Sequence, residues 1–143
     1  VYTPISDVAA FSETLKPIGE ELKAGCSRED LRILFRSKMN CRPLEATPEQ
    51  YADRFKISRD ETVALVKWVE IEQSGNEKIA AAYRQFPGKK GDAVASVIEN
   101  ASLEGKRTAD EFANGAYTWG EYNRRRAELA KRMQEEQKAA LTY

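Results

Sequence analysis

Five candidate helix starts are marked in this sequence by a Ser or Thr three residues ahead of an acidic residue or Gln, next to apolar residues at helical spacing: Ser27 and Asp30, Thr47 and Gln50, Ser58 and Glu61, Thr108 and Glu111, Thr118 and Glu121. In such a pair the hydroxyl accepts a backbone N–H of the first helical turn. The second side chain reaches back to the N–H of the capping residue. The device satisfies the orphan donors of a helix start and has no role in a strand. Pro48 adds to the second pair, since proline is favoured at the first helical position. Gly25, Gly75, Gly88, Gly105 and Gly115 each follow a candidate helix, and Pro43 and Pro87 block continuation.

Starts and stops together predict helices over about 6–24, 28–39, 48–55, 59–73, 76–86, 91–103, 108–114 and 118–140. Pro17 bends or splits the first, and Ser74–Gly75 is either a short break or a kink within one long helix. Phe11, Leu15, Ile18 and Leu22 step by four, three and four, and Val63, Val66 and Val69 share a face, as do Val94, Val97 and Ile98. No segment alternates with period two. The expected fold is all-α: one domain over 1–143, a compact bundle of about six to eight short helices with a long C-terminal helix. Beyond Leu129 apolar residues thin out, so 130–143 is expected to extend from the core or to meet a partner.

Charge restricts function more than it suggests it. Lys and Arg number 23 against 23 Asp and Glu, so there is no general pull toward nucleic acid or anionic lipid. No apolar run approaches the roughly 20 residues of a bilayer span. The opening "VYTPISDVAAF" has neither the basic start nor the apolar stretch of a signal peptide, and the absent methionine suggests a processed or trimmed chain. There is no histidine, which removes the commonest general base and metal ligand and excludes Ser–His and Cys–His nucleophiles. Two cysteines alone cannot build a structural zinc site. No metal, cofactor or catalytic residue is expected.

Cys26 and Cys41 flank the predicted 28–39 helix. An unbroken helix of that length holds its ends about 17 Å apart, whereas a disulfide needs Cα atoms within about 7 Å. The expectation is therefore two reduced thiols. A bond would require the helix to be short or broken, and would place the chain outside the cytosol. The compartment is left open, with a secreted or periplasmic one preferred.

The densest cluster of candidate binding residues is "AYTWGEYNRRRAEL", 116–129. Capping physics accounts for most of it: Thr118 and Glu121 cap, Tyr117 and Tyr122 staple, and Arg124, Arg125 and Arg126 fan across the helix as a solvated cluster. The functional alternative is an exposed anchor patch of Trp119, Tyr122 and Arg125, the residue types that dominate interface hot spots. "PGKKGD", 87–92, reads as a turn with a cap, and Glu70 and Glu72 as an ordinary solvated pair.

"LEGKRTADEFANGAYTWGEYNRRRAEL" resembles the SHOCT-like helical tails of bacterial proteins, through Gly115, Tyr117, Thr118, Glu121, Tyr122 and Leu129. The resemblance implies a bacterial source and oligomerisation, and no catalytic residues. "QYADRFKISRDETVALVKWV", 50–69, resembles a DNA-reading helix-turn-helix, but Lys56 stands at the usual turn glycine, and Asp60 and Glu61 would face phosphate. The expected function is a non-enzymatic protein-binding module: an adaptor, an immunity-type inhibitor or an envelope-assembly subunit. A DNA-binding regulator through 50–69 is the alternative, and a carboxylate-dependent enzyme comes last.

Overall fold

The computed structural model describes residues 5–85 and 89–142. Six α-helices form among them: α1 Ile5–Gly25, α2 Arg32–Phe35, α3 Pro48–Tyr51, α4 Arg59–Gln85, α5 Lys89–Ala113 and α6 Trp119–Thr142, with short 3-10 turns at Glu29–Leu31 and Pro43–Glu45. An isolated Lys56–Thr118 bridge is the one strand-like contact among the described residues. The fold is all-α, and no described helix is long and apolar enough to cross a membrane.

Three predicted caps form. Thr47 and Gln50 make a reciprocal box at α3. Ser58 and Glu61 do the same at α4, with Ser58 N donating to Glu61 Oε1 at 2.8 Å and Glu61 N to Ser58 Oγ at 3.2 Å. Thr118 and Glu121 start α6. The other two pairs do not cap. Asp30 is held by the Arg28 guanidinium at 2.8 and 3.0 Å, which keeps its carboxyl below the usual range, and Thr108 lies inside α5.

The predicted 59–73 and 76–86 helices are one element, α4, and 91–103 and 108–114 are one element, α5. Gly75 and Gly105 are therefore interior residues and not stops. At Gly75 the reason is packing: a Cβ there would come within 2.6 Å of a Leu22 methyl, so the missing side chain lets α1 close on α4. Gly115, by contrast, does end α5, with φ +87° that an L side chain resists. Pro17 lies within a continuous α1. Phe86, Pro87 and Gly88, which carry the end of the 76–86 prediction and the head of "PGKKGD", lie outside the described residues.

The three long connections are antiparallel. Glu21 pairs with Lys78 across α1 and α4 at 3.1 Å, Gln73 Nε2 donates to Ser102 O across α4 and α5 at 3.0 Å, and Glu104 pairs with Arg132 across α5 and α6 at 2.7 Å. The main core gathers Leu31, Leu34, Met39, Leu65, Trp68, Phe112, Trp119 and Tyr122 where the short helices cover one end of the bundle. A smaller cluster of Ala80, Val94, Ala95 and Ile98 fills the other end, and Ala140 packs against it. Ala140 and the Glu104–Arg132 pair hold the distal half of α6 to the bundle, while most of its residues beyond Ala130 are exposed.

The predicted 28–39 helix is broken into the 3-10 turn, the four residues of α2 and a turn, and Cys26 and Cys41 are bonded with Cα atoms 5.8 Å apart. The expectation of reduced thiols is corrected by this break. Leu31, Leu34 and Met39 are all fully buried, and the doubled-back path that seats Met39 beside Leu34 brings the cysteines together.

Candidate binding cleft

The first turn of α6 sits on the extended 52–58 segment. Trp119 N donates to Phe55 O at 2.8 Å and Gly120 N to Asp53 O at 2.9 Å, so loop carbonyls satisfy donors that a helix start leaves open. Trp119 is fully buried, edge-on to Phe112 at 4.7 Å, with Nε1 donating to Glu61 Oε1 at 3.1 Å. Tyr122 stacks on Phe112 at 4.2 Å and is 2% exposed. These two side chains are core, which removes them from the expected exposed patch. Arg125 alone of the three is exposed, lying over the Tyr117 ring at 4.1 Å. Tyr117 is half-buried and packs against the core cluster to which Tyr122 belongs.

The next residues of α6 hold carbonyls of the disulfide-tethered loop and of α3. Asn123 Nδ2 donates to Lys38 O at 2.9 Å and Gln50 O at 3.1 Å, and Arg124 Nη1 to Tyr51 O at 3.2 Å. Arg126 Nη1 donates to Asn40 O at 2.9 Å. Arg126 is only 8% exposed, so the triple arginine is not a uniformly solvated cluster. Its Nη2 is buried and has no partner.

Arg126 lines a cleft of about 620 Å³ between α4, α5, α6 and the loop after Cys41, within the range of small-ligand sites. Leu44, Val69, Leu129 and Met133 form apolar wall. From α4 the cleft receives Glu72, Gln73 and Asn76. The amide groups of Gln73 and Asn76 each donate one N–H, to Ser102 O and Ser102 Oγ at 3.0 and 3.4 Å, and among the described residues neither the second N–H nor the carbonyl oxygen has a partner. Glu72 has no hydrogen bond or ion pair, although the Arg126 charge acts on it. Burial pushes its carboxyl above the ordinary range, and Arg126 opposes that shift. Burial likewise raises the Tyr122 hydroxyl, far from any neutral-pH titration. Glu45, the other carboxylate of the cleft, is exposed and faces Arg42 at 3.7 Å. A second cavity of about 510 Å³ lies across Cys41 and shares Glu72 and Asn76 with the first.

Glu72 has a consequence for stability. A raised carboxyl value means that the folded chain binds a proton more readily than the unfolded one. Stability is then lost as pH rises from the ordinary carboxyl value through the folded one. Glu72→Gln removes that loss. Thermal unfolding should show the variant more stable than wild type at pH 7 and level with it near pH 3. An equal or lower midpoint at pH 7 would contradict the burial argument.

Residues 50–69 do not form two helices joined by a tight turn: α3 is a single turn ending at Tyr51, and 52–58 is an extended strap under α6. The helix-turn-helix that this stretch resembles in sequence, and on which the DNA-binding alternative rests, does not form here. Glu70 and Glu72, expected as an ordinary solvated pair, differ: Glu70 is exposed and Glu72 half-buried. Comparison with protein-family models, characterised proteins and solved structures finds no match to this chain.

Proposed function

We propose that this protein is a non-enzymatic binding protein and that the cleft between α4, α5 and α6 is its binding surface. The observation that supports this reading is Arg126: a side chain that lines the cleft, with Nη1 fixed on Asn40 O and Nη2 buried without an acceptor. Leaving a buried charged donor unsatisfied is costly, and an incoming acceptor removes that cost. A guanidinium is donor-only and binds rather than moves protons. The sequence suggested another protein as partner. Burial of Trp119 and Tyr122 favours a group small enough to enter the cleft over a flat protein anchored on that patch. The disulfide supports the preference for an oxidising compartment.

A thermal-shift screen of organic anions, cations, zwitterions, sugars, nucleosides and short peptides tests the reading, with Arg126→Lys run in parallel against its own unliganded midpoint. At least one class, well above its dissociation constant, should raise the wild-type midpoint by roughly 5 °C or more, and the shift should shrink in the variant. No shift with any class, or equal shifts in both proteins, overturns it.

A further inference from the structure

We infer that the cleft takes a small zwitterion of the amino-acid type, its carboxylate on Arg126 and its ammonium against Glu72, Gln73 and Asn76. The inference rests on the cleft being the binding surface, and it follows from the polar groups that the fold leaves unengaged there. On the α6 side the cleft is lined by the Arg126 guanidinium, a donor-only group whose Nη2 is buried without an acceptor. On the α4 side stand the Glu72 carboxylate, an acceptor only, and the amides of Gln73 and Asn76, each with one N–H held by Ser102 and a carbonyl oxygen that can accept. The two walls therefore differ in charge, a guanidinium on α6 facing a carboxylate on α4.

A simple anion such as a fatty acid would satisfy Arg126 but sit against the Glu72 carboxylate with no counter-charge for it. A simple cation would satisfy Glu72 and leave the guanidinium unpaired. A molecule with an acceptor at one end and three N–H donors at the other answers both, and an ammonium beside Glu72 favours its charged form. Leu129 and Met133 continue the wall beyond Arg126 and offer an apolar surface to an aliphatic side chain. The volume of about 620 Å³ accommodates such a molecule with its side chain.

The test is isothermal titration of the full, oxidised chain with L-leucine, N-acetyl-L-leucine, L-leucinamide and octanoate, and then with the other standard L-amino acids. L-leucine or another aliphatic amino acid should bind. Acetylation of its amine and amidation of its carboxylate should each weaken binding about tenfold or more, since a site with built polar partners rejects ligands that leave them unpaired. Glu72→Gln, which keeps the shape of the side chain, should weaken the amino acid by about tenfold while leaving its N-acetyl form unchanged. Octanoate or N-acetyl-L-leucine binding as tightly as L-leucine, with Arg126→Lys weakening it, overturns the zwitterion and leaves the cleft as an anion site. If no amino acid binds, the inference fails, and the wider ligand screen decides separately whether the cleft binds anything.

Discussion

Gly120→Ala is expected to destabilise this protein by about 3 kcal/mol or more, although alanine is the better helix former by about 1 kcal/mol. Gly120 is the second residue of α6. A Cβ there would overlap Tyr51 O and come within 2.9 Å of Asp53 O. Both obstacles are backbone, and neither can rotate away. The overlap is relieved only by moving the first turn of α6 off the 52–58 strap. That movement would break Trp119 N to Phe55 O and Gly120 N to Asp53 O, and would disturb the seat of Trp119 at the centre of the core. Gly105→Ala is the matched control. It also lies inside a helix, but the nearest atom to its Cβ is a Leu129 methyl at 3.5 Å, an ordinary contact. There the propensity gain should appear, as roughly 0.5–1 kcal/mol of added stability. Chemical denaturation of the two variants beside wild type reads both effects. Loss of less than about 1 kcal/mol at Gly120 would mean that α6 does not sit against the strap as described.

These two glycines also show where reading the sequence by local signals succeeds and where it stops. A Ser or Thr with its acidic partner marks a real start only if its cap is not claimed by something nearer. Ser58 and Thr118 keep their Glu61 and Glu121, while Asp30 is taken by Arg28 two residues away. A glycine costs a helix about 1 kcal/mol, which tertiary contact easily outweighs. Gly75 is retained inside α4 because Leu22 of α1 occupies the space its side chain would need. Nothing within ten residues of Gly75 announces Leu22.

The cleft was more legible than the expected patch, though by a different signal. On α6, Trp119, Tyr122, Arg126, Leu129 and Met133 step by three, four, three and four. On α4, Glu61, Leu65, Trp68, Glu72 and Gly75 step by four, three, four and three. Each series is the inward stripe of an amphipathic helix. Charged residues within it, Glu61, Glu72 and Arg126, must find partners or a cavity. Glu61 finds Ser58 and Trp119, and Arg126 finds Asn40 with one nitrogen only. Reading Trp119, Tyr122 and Arg125 as one surface mixed two inward positions with an outward one. That these stripes enclose a cleft, rather than closing on each other, depends on the loop from Cys41 to Glu45, whose path no local pattern encodes.

That loop makes the disulfide the other change of large effect. Cys26→Ser with Cys41→Ser, or reduction of the wild type, should cost about 3 kcal/mol, the chain-entropy value for closing a loop of this length. The midpoint of thermal unfolding should fall by roughly 10 °C. Regular structure between the cysteines is slight, a 3-10 turn and the four residues of α2, so the bond adds to the burial of Leu31, Leu34 and Met39 in holding this path. The loss should not be spread evenly. Cys41 lines the cleft, and Asn40 beside it carries the carbonyl that fixes Arg126. Loosening this segment frees the guanidinium from its one anchor before the α4–α5 hairpin is touched, because that hairpin has its own cluster of Ala80, Val94, Ala95 and Ile98. Hydrogen exchange on the oxidised and reduced chains should therefore show protection lost first over 26–58 and the first turns of α6, with α4 and α5 beyond residue 79 retaining theirs. Uniform loss across the chain would mean that the two clusters unfold as one unit. An unchanged midpoint on reduction would show that buried Leu31, Leu34 and Met39 hold the doubled-back path without the bond.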